Sequence, residues 1–171
     1  MKGFSVCIDR HTIATCVQEL GHAISQDYAD REVTCIGVLK GVTPFFADLL
    51  RTLTMPVTMD TIRLSSYGAA RNTSHHVRIL KNLDSCITGK HVLVIEEIVD
   101  SGCTLAFLLK HLAEHNPASL HVVTLLNKEA RREVHVPITY EGMRVEDAFL
   151  IGYGLDLDET CRNLPDILAT D

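Results

Sequence analysis

Residues 92–95, Val-Leu-Val-Ile, form an uninterrupted apolar run rich in β-branched side chains. Such a run reads as a strand buried on both faces, the kind found in parallel sheets with helices on each side. From Leu105 the period changes, and Leu105, Leu108, Leu109 and Leu112 recur at helical spacing. Two carboxylates, Glu96 and Glu97, stand where the strand is expected to end. A turn of small polar residues follows, Asp100-Ser101-Gly102-Cys103-Thr104. Backbone N–H groups left free at the start of a helix, together with the helix dipole, favour an anion at such a place. Gly102 lets the backbone approach a ligand without a Cβ in the way, and Ser101 and Thr104 add hydroxyl donors. The turn is a candidate phosphate cradle. Two acids beside it are consistent with a ribose phosphate, whose 2′ and 3′ hydroxyls would meet the carboxylates directly or through Mg²⁺. The bland alternative is a strand–turn–helix unit with solvated acids at its tip.

The rest of the chain repeats the alternation. Ile13, Cys16, Val17, Leu20, Ala23 and Ile24 outline an amphipathic helix over residues 12–28. Residues 33–39 read as a strand that ends at Lys40-Gly41, and Pro44 suits the first turn of a helix running to Leu50. Further strands are expected over 57–64, 77–80, 119–126 and 148–152. Residues 65–76, rich in Ser, Gly, Asn and Thr, have no hydrophobic period and read as a mobile loop. The pattern predicts an α/β fold with a mainly parallel sheet covered on both faces. Ligands of such sheets gather beyond the carboxyl ends of the strands. Lys40-Gly41, residues 96–104 and Asn127-Lys128 all fall at such ends, which predicts one site.

Length and composition agree. The 171 residues suffice for one domain, taken as 1–171, and 46% hydrophobic with 22% charged content is that of a soluble globular chain. Twenty-two acidic against 16 basic residues give a net charge of −6, the wrong bias for nonspecific nucleic-acid binding. No apolar stretch is long enough for a signal peptide or membrane span, so cytoplasm is the expected location. The six cysteines lack C-x-x-C spacing and read as reduced, mostly buried thiols. Cys103 is read as a neutral filler whose amide matters, against the alternative of a reactive thiol at a helix N-terminus.

Five segments, in order, carry a resemblance: GVLKGVTPFFADLLR, SSYG, VLVIEEIVDSGCTL, LLNKEARR and FLIGYGLDLDETCRNL. Together the chain resembles the hypoxanthine-guanine phosphoribosyltransferases, bacterial type, among the type I phosphoribosyltransferases. The match covers about residues 33–165. It implies a parallel sheet with a small hood from the chain termini, and a purine salvage reaction with Mg²⁺ as cofactor. In that reaction a purine nitrogen attacks C1 of 5-phosphoribosyl-1-pyrophosphate, giving IMP or GMP and pyrophosphate. A homodimer or homotetramer is implied, with no membrane or nucleic-acid partner.

The resemblance also implies roles. Asp100 becomes the general acid/base facing purine N7, against the alternative of a helix cap, and with Ser101, Gly102, Cys103 and Thr104 it forms the 5′-phosphate turn. Glu96 and Glu97 take the ribose hydroxyls and metal, although the family usually has Asp at the second position. Lys40, Gly41 and Arg162 take pyrophosphate, with a cis Leu39–Lys40 peptide, and Asp156 ligates a second Mg²⁺. Lys128 donates to the purine 6-oxo group, and Phe149 stacks on the ring unless it is a core aromatic. Leu150 and Asp156 offer backbone groups to the base edge. Ser66 and Tyr67 belong to a lid. Runner-up readings are a xanthine-preferring transferase, a regulatory nucleotide-sensing RNA-binding protein and, more weakly, a pyrimidine transferase.

Overall fold

The computed structural model describes residues 3–67 and 76–170, without the side chains of Ser66, Tyr67 and His76. Strand β1 (Phe4–Ile8) leads into helix α1 (Arg10–Tyr28), then β2 (Val33–Leu39), α2 (Thr43–Leu50), β3 (Val57–Tyr67) and β4 (His76–Lys81). The second half follows as β5 (His91–Val99), α3 (Cys103–Ala113), β6 (Ser119–Asn127), β7 (Tyr140–Arg144), β8 (Leu150–Ile151) and β9 (Ile167–Thr170). Six strands make the main sheet in the order β4-β3-β2-β5-β6-β7. All its pairings are parallel except β3 with β4.

The sheet is covered on both faces, as its apolar strands require. Ile13, Val17 and Leu20 of α1 and Phe45, Phe46 and Leu49 of α2 pack on one face with Cys35, Leu93 and Ile95. Leu105, Leu108 and Leu112 of α3 pack on the other with Ile36, Val92 and Val94. Asp9 starts α1 by accepting hydrogen bonds from the His11 and Thr12 amides at 2.8 and 3.1 Å, the usual work of an N-cap carboxylate. Pro44 lies in the first turn of α2, as expected.

Sheet order and helix placement together locate the site. The chain goes from β2 through α2 to β3 on one side, and from β5 through α3 to β6 on the other. The crossover direction therefore reverses between β2 and β5, and open α/β sheets bind ligands at such a switch point. These two strands pair only as far as Gly37 with Ile95. Their carboxyl ends then part.

Several expectations change. The strand carrying the apolar run does not stop before Glu96 but continues through both acids to Val99. The strand expected over 148–152 is only Leu150–Ile151, and it joins a separate three-stranded sheet, β1-β9-β8. That sheet is the hood, built from both ends of the chain. A third of the expected loop over 65–76 is not loop either: β3 runs through Tyr67 and β4 begins at His76. Residues 68–75, the rest of the segment read as a lid, lie outside the described residues, as do the Ser66 and Tyr67 side chains. The cysteines are free, but only Cys16 and Cys35 are buried; Cys7 and Cys86 are exposed. No helix among the described residues is long and apolar enough to cross a membrane.

Candidate active site

Two cavities of about 350 Å³ each open at the carboxyl ends of the central strands. The first is lined by Glu96, Glu97, Asp100, Ser101, Gly102 and Thr104, with Val38, Leu39 and Leu64 opposite. The second is lined by Lys128, Phe149, Leu150 and Asp156, with Arg131 and Asp147 at its side. Ile98 and Asp100 line both. Two spaces of similar size thus meet at one carboxylate.

Helix α3 is introduced by Gly102, which has a left-handed backbone (φ 83°) and gives no side-chain cap. Asp100 is therefore not the cap. Its Oδ1 is buried with no hydrogen-bond partner, an arrangement that a structural Asp would avoid. Ser101 Oγ accepts from the Cys103 amide at 3.3 Å, so its own proton remains available to a ligand. The turn is braced from behind by a segment given no role in the sequence reading. Arg132 Nε donates to the Asp100 carbonyl at 2.9 Å, and the Glu133 and Val134 amides donate to the Ser101 carbonyl at 2.9 and 3.0 Å. A Cβ on Gly102 would lie 2.4 Å from the Val134 carbonyl oxygen. The turn needs glycine there for its brace as well as for its ligand face.

Glu96 is buried, and burial with Glu97 beside it raises its carboxyl well above the usual range. Burial pushes Glu97 up to about 7, with Asp156 adding and Arg162 opposing. Glu97 Oε2 has no hydrogen-bond partner. The other oxygen, Oε1, fills the space beside Gly41, 2.0 Å from where a Cβ there would stand. The extra methylene of Glu over Asp thus carries this carboxylate under the loop after β2. Among the described residues no group of three or more His, Cys, Asp or Glu side chains is placed to hold a metal by itself.

That loop carries Lys40 behind a cis Leu39–Lys40 peptide, as expected. Lys40 Nζ contacts Glu159 Oε2 at 2.7 Å. Arg162 donates through Nη1 to the Gly154 carbonyl at 2.8 Å and through Nη2 to Asp156 Oδ1 at 2.8 Å, while its buried Nε has no partner. Lys128 is buried; its Nζ donates to the Ala148 carbonyl at 2.7 Å and stands 3.9 Å from Asp147 Oδ1. Phe149 is 49% exposed at the rim of the second cavity, which removes the core-aromatic reading. Arg131 pairs with Asp147 at 2.7 Å across the same rim. Neither residue was singled out beforehand, because a lone Arg and a lone Asp in sequence give no sign that they will meet.

A parallel sheet opening at its switch point onto a phosphate turn and two acids is the architecture of a phosphoribosyl-transferring enzyme. The family model for the phosphoribosyl transferase domain matches residues 9–159. Hypoxanthine-guanine phosphoribosyltransferase from Bacillus subtilis (strain 168) is 41% identical over 160 residues, covering 94% of this chain and 89% of that protein. Its namesake from Dictyostelium discoideum is 44% identical over 153 residues, covering 87% and 85%. A crystal structure of the Bacillus anthracis hypoxanthine-guanine phosphoribosyltransferase hpt-2 superposes with a TM-score of 0.92 at 42% identity, covering 98% of each chain. The chain belongs to the hypoxanthine-guanine phosphoribosyltransferase family of pentosyl-transferring enzymes.

Proposed function

We propose that this enzyme transfers the 5-phosphoribosyl group of phosphoribosyl pyrophosphate to hypoxanthine and guanine, forming IMP and GMP with release of pyrophosphate. The observation that carries this reading is the meeting of the two cavities at Asp100. The bond from purine nitrogen to ribose C1 forms at that junction while the C1–oxygen bond to pyrophosphate breaks. A buried carboxylate oxygen without a partner suits a group that exchanges a proton with purine N7.

In the first cavity the 5′-phosphate sits on the α3 amides and the Ser101 and Thr104 hydroxyls, and the ribose diol faces Glu96 and Glu97. Lys40, Gly41 and Arg162 receive the pyrophosphate, whose negative charge grows as the bond breaks. In the second cavity Lys128 donates to the 6-oxo group, Phe149 stacks on the ring, and Leu150 and Asp156 address the base edge. An ammonium reads an acceptor at position 6 and leaves an adenine amino group unpaired.

Mg²⁺ fits this donor set. The orphaned Glu97 Oε2 is a hard oxygen ligand. Mg²⁺ is commonly held by one or two protein carboxylates plus substrate oxygens rather than by a complete protein cage. Glu96, Glu97 and Asp156 are the residues that would hold it. When bound, it neutralises pyrophosphate charge. The reading extends to a cytoplasmic homodimer or homotetramer acting on small molecules, without nucleic acid.

The deciding experiment is a spectrophotometric assay with phosphoribosyl pyrophosphate, Mg²⁺ and each purine in turn. Hypoxanthine and guanine are converted and adenine is not. Failure of both 6-oxopurines to yield nucleotide overturns the proposal.

A further inference from the structure

Lys40 and Arg162 are bridged by a single carboxylate oxygen. Glu159 Oε2 lies 2.7 Å from Lys40 Nζ and 3.3 Å from Arg162 Nη2. The loop that presents it is closed by reciprocal backbone hydrogen bonds between Leu157 and Thr160 at 3.1 and 2.9 Å. Within that loop the Glu159 amide donates to Asp156 Oδ2 at 2.9 Å. Asp158 and Glu159 both have left-handed backbone, φ 48° and 65°, which turns the Glu159 side chain back over the β2 loop. The side chain is 63% exposed, so the carboxylate is poised at the mouth of the site rather than locked in the core.

An ordinary surface ion pair has no reason to involve two cations from remote segments through one oxygen. A phosphate oxygen between the same two cations would have that geometry. An oxygen of pyrophosphate that accepted hydrogen bonds from both nitrogens would lie where Glu159 Oε2 now lies. Two anions do not share that position, since like charges at contact repel and one position holds one atom. Ligand binding there is an exchange, not an addition. In the free protein Arg162 also pairs with Asp156 at 2.8 Å, so its guanidinium does not depend on Glu159 alone.

We infer that Glu159 is a tethered competitor of the pyrophosphate group, holding Lys40 and Arg162 before substrate arrives and taking them back as pyrophosphate leaves. The inference rests on the assignment of Lys40 and Arg162 to pyrophosphate and adds a residue that tunes affinity for that group. Because the carboxylate is attached to the same loop as Arg162, its local concentration is high at no further association entropy. It weakens the hold on substrate and product alike. That is useful where product release limits turnover.

The test uses the full chain with Mg²⁺ present and inorganic pyrophosphate as the probe, measured as an inhibitor competing with phosphoribosyl pyrophosphate. Glu159→Gln lowers the pyrophosphate inhibition constant and the KM for phosphoribosyl pyrophosphate by about 1.5-fold to fivefold, the range for loss of exposed ion pairs. The KM for hypoxanthine does not move, and the thermal midpoint falls by no more than about 4 °C, the cost of the lost ion pairs. Asp158→Asn, which removes an adjacent exposed charge, leaves the inhibition constant unchanged; an effect equal to that of Glu159→Gln reduces the observation to net charge and overturns the inference. Lys40→Ala weakens pyrophosphate binding. If Lys40→Ala does so while Glu159→Gln changes nothing or also weakens it, the competitor role is wrong and the site assignment stands. If neither variant affects pyrophosphate, the assignment itself fails.

Discussion

Gly154 lies against Gly41 so closely that a Cβ on Gly154 would stand 1.8 Å from the Gly41 carbonyl oxygen. This contact clamps the loop after β2 to the loop that carries Asp156 and Arg162. It brings together groups from distant parts of the chain that the pyrophosphate assignment requires side by side.

The two glycines differ in what a methyl group would meet. At Gly154 it strikes backbone, and the residue's φ of 102° is one that L side chains rarely adopt. At Gly41 it meets the movable end of Glu97 first. Gly154→Ala lowers the thermal midpoint by about 5–10 °C, from a strain cost of about 2–3 kcal/mol. Gly41→Ala leaves the midpoint within about 3 °C but raises the KM for phosphoribosyl pyrophosphate. Equal midpoints for the two variants would show that the loops part easily.

Asp100→Asn is expected to lower kcat by about 100-fold to 10,000-fold, the usual contribution of a general acid–base group. The thermal midpoint stays the same or rises, because the replaced carboxylate has a buried oxygen without a partner. Steady-state kinetics and differential scanning calorimetry on one preparation check both halves. A large loss of stability would restore a structural role.

Lys128→Met removes the buried donor from the base cavity while filling similar space. The KM for hypoxanthine then rises by about tenfold to a hundredfold, the worth of a charged hydrogen bond, with the KM for phosphoribosyl pyrophosphate nearly constant. A change confined to the second substrate would move Lys128 out of the base site.

Glu96 and Glu97 make the free enzyme less stable as pH rises. Their carboxyls titrate higher folded than unfolded, so between about 4.5 and 7 the folded state binds more protons, and the pH slope of unfolding free energy is negative. Stability from this pair is complete below the unfolded value and is lost as pH climbs through the folded one. Glu97→Gln flattens the slope, read from urea midpoints between pH 5 and 8, both values on the order of the window above. Glu97→Asp retains activity while withdrawing its carboxylate from Gly41, whereas Glu96→Ala with Glu97→Ala raises the KM for phosphoribosyl pyrophosphate. An unchanged KM in the double variant would remove the pair from the ribose site.

What could be read from the sequence was whatever a local pattern records. The run at 92–95 foretold a doubly covered parallel strand, and β5 is one. The acids, the small-residue turn and the change to helical period placed one cavity, and the family resemblance placed most of the other. The acids were misread as the strand's end because charged residues rarely continue a buried strand; here β5 continues through them beside the open switch point. Arg132 and Arg131 gave no signal, since their partners are backbone carbonyls, the Asn127 side chain and an Asp that only the tertiary fold brings near. The hood strand β9 escaped for a similar reason: Ile167–Thr170 is short, and its pairing with Phe4–Ile8 spans nearly the whole chain.

That pairing sets an order of assembly. The Thr170 amide donates to the Phe149 carbonyl at 3.1 Å, and β9 lies between β1 and β8. During synthesis the strands and turn that line the Glu96–Thr104 cavity are complete well before residue 170 leaves the ribosome. The Phe149 side of the second cavity has to wait for it. In a nascent chain of this enzyme the cavity at the Ser101–Thr104 turn therefore takes shape before the one bordered by Phe149 and Leu150.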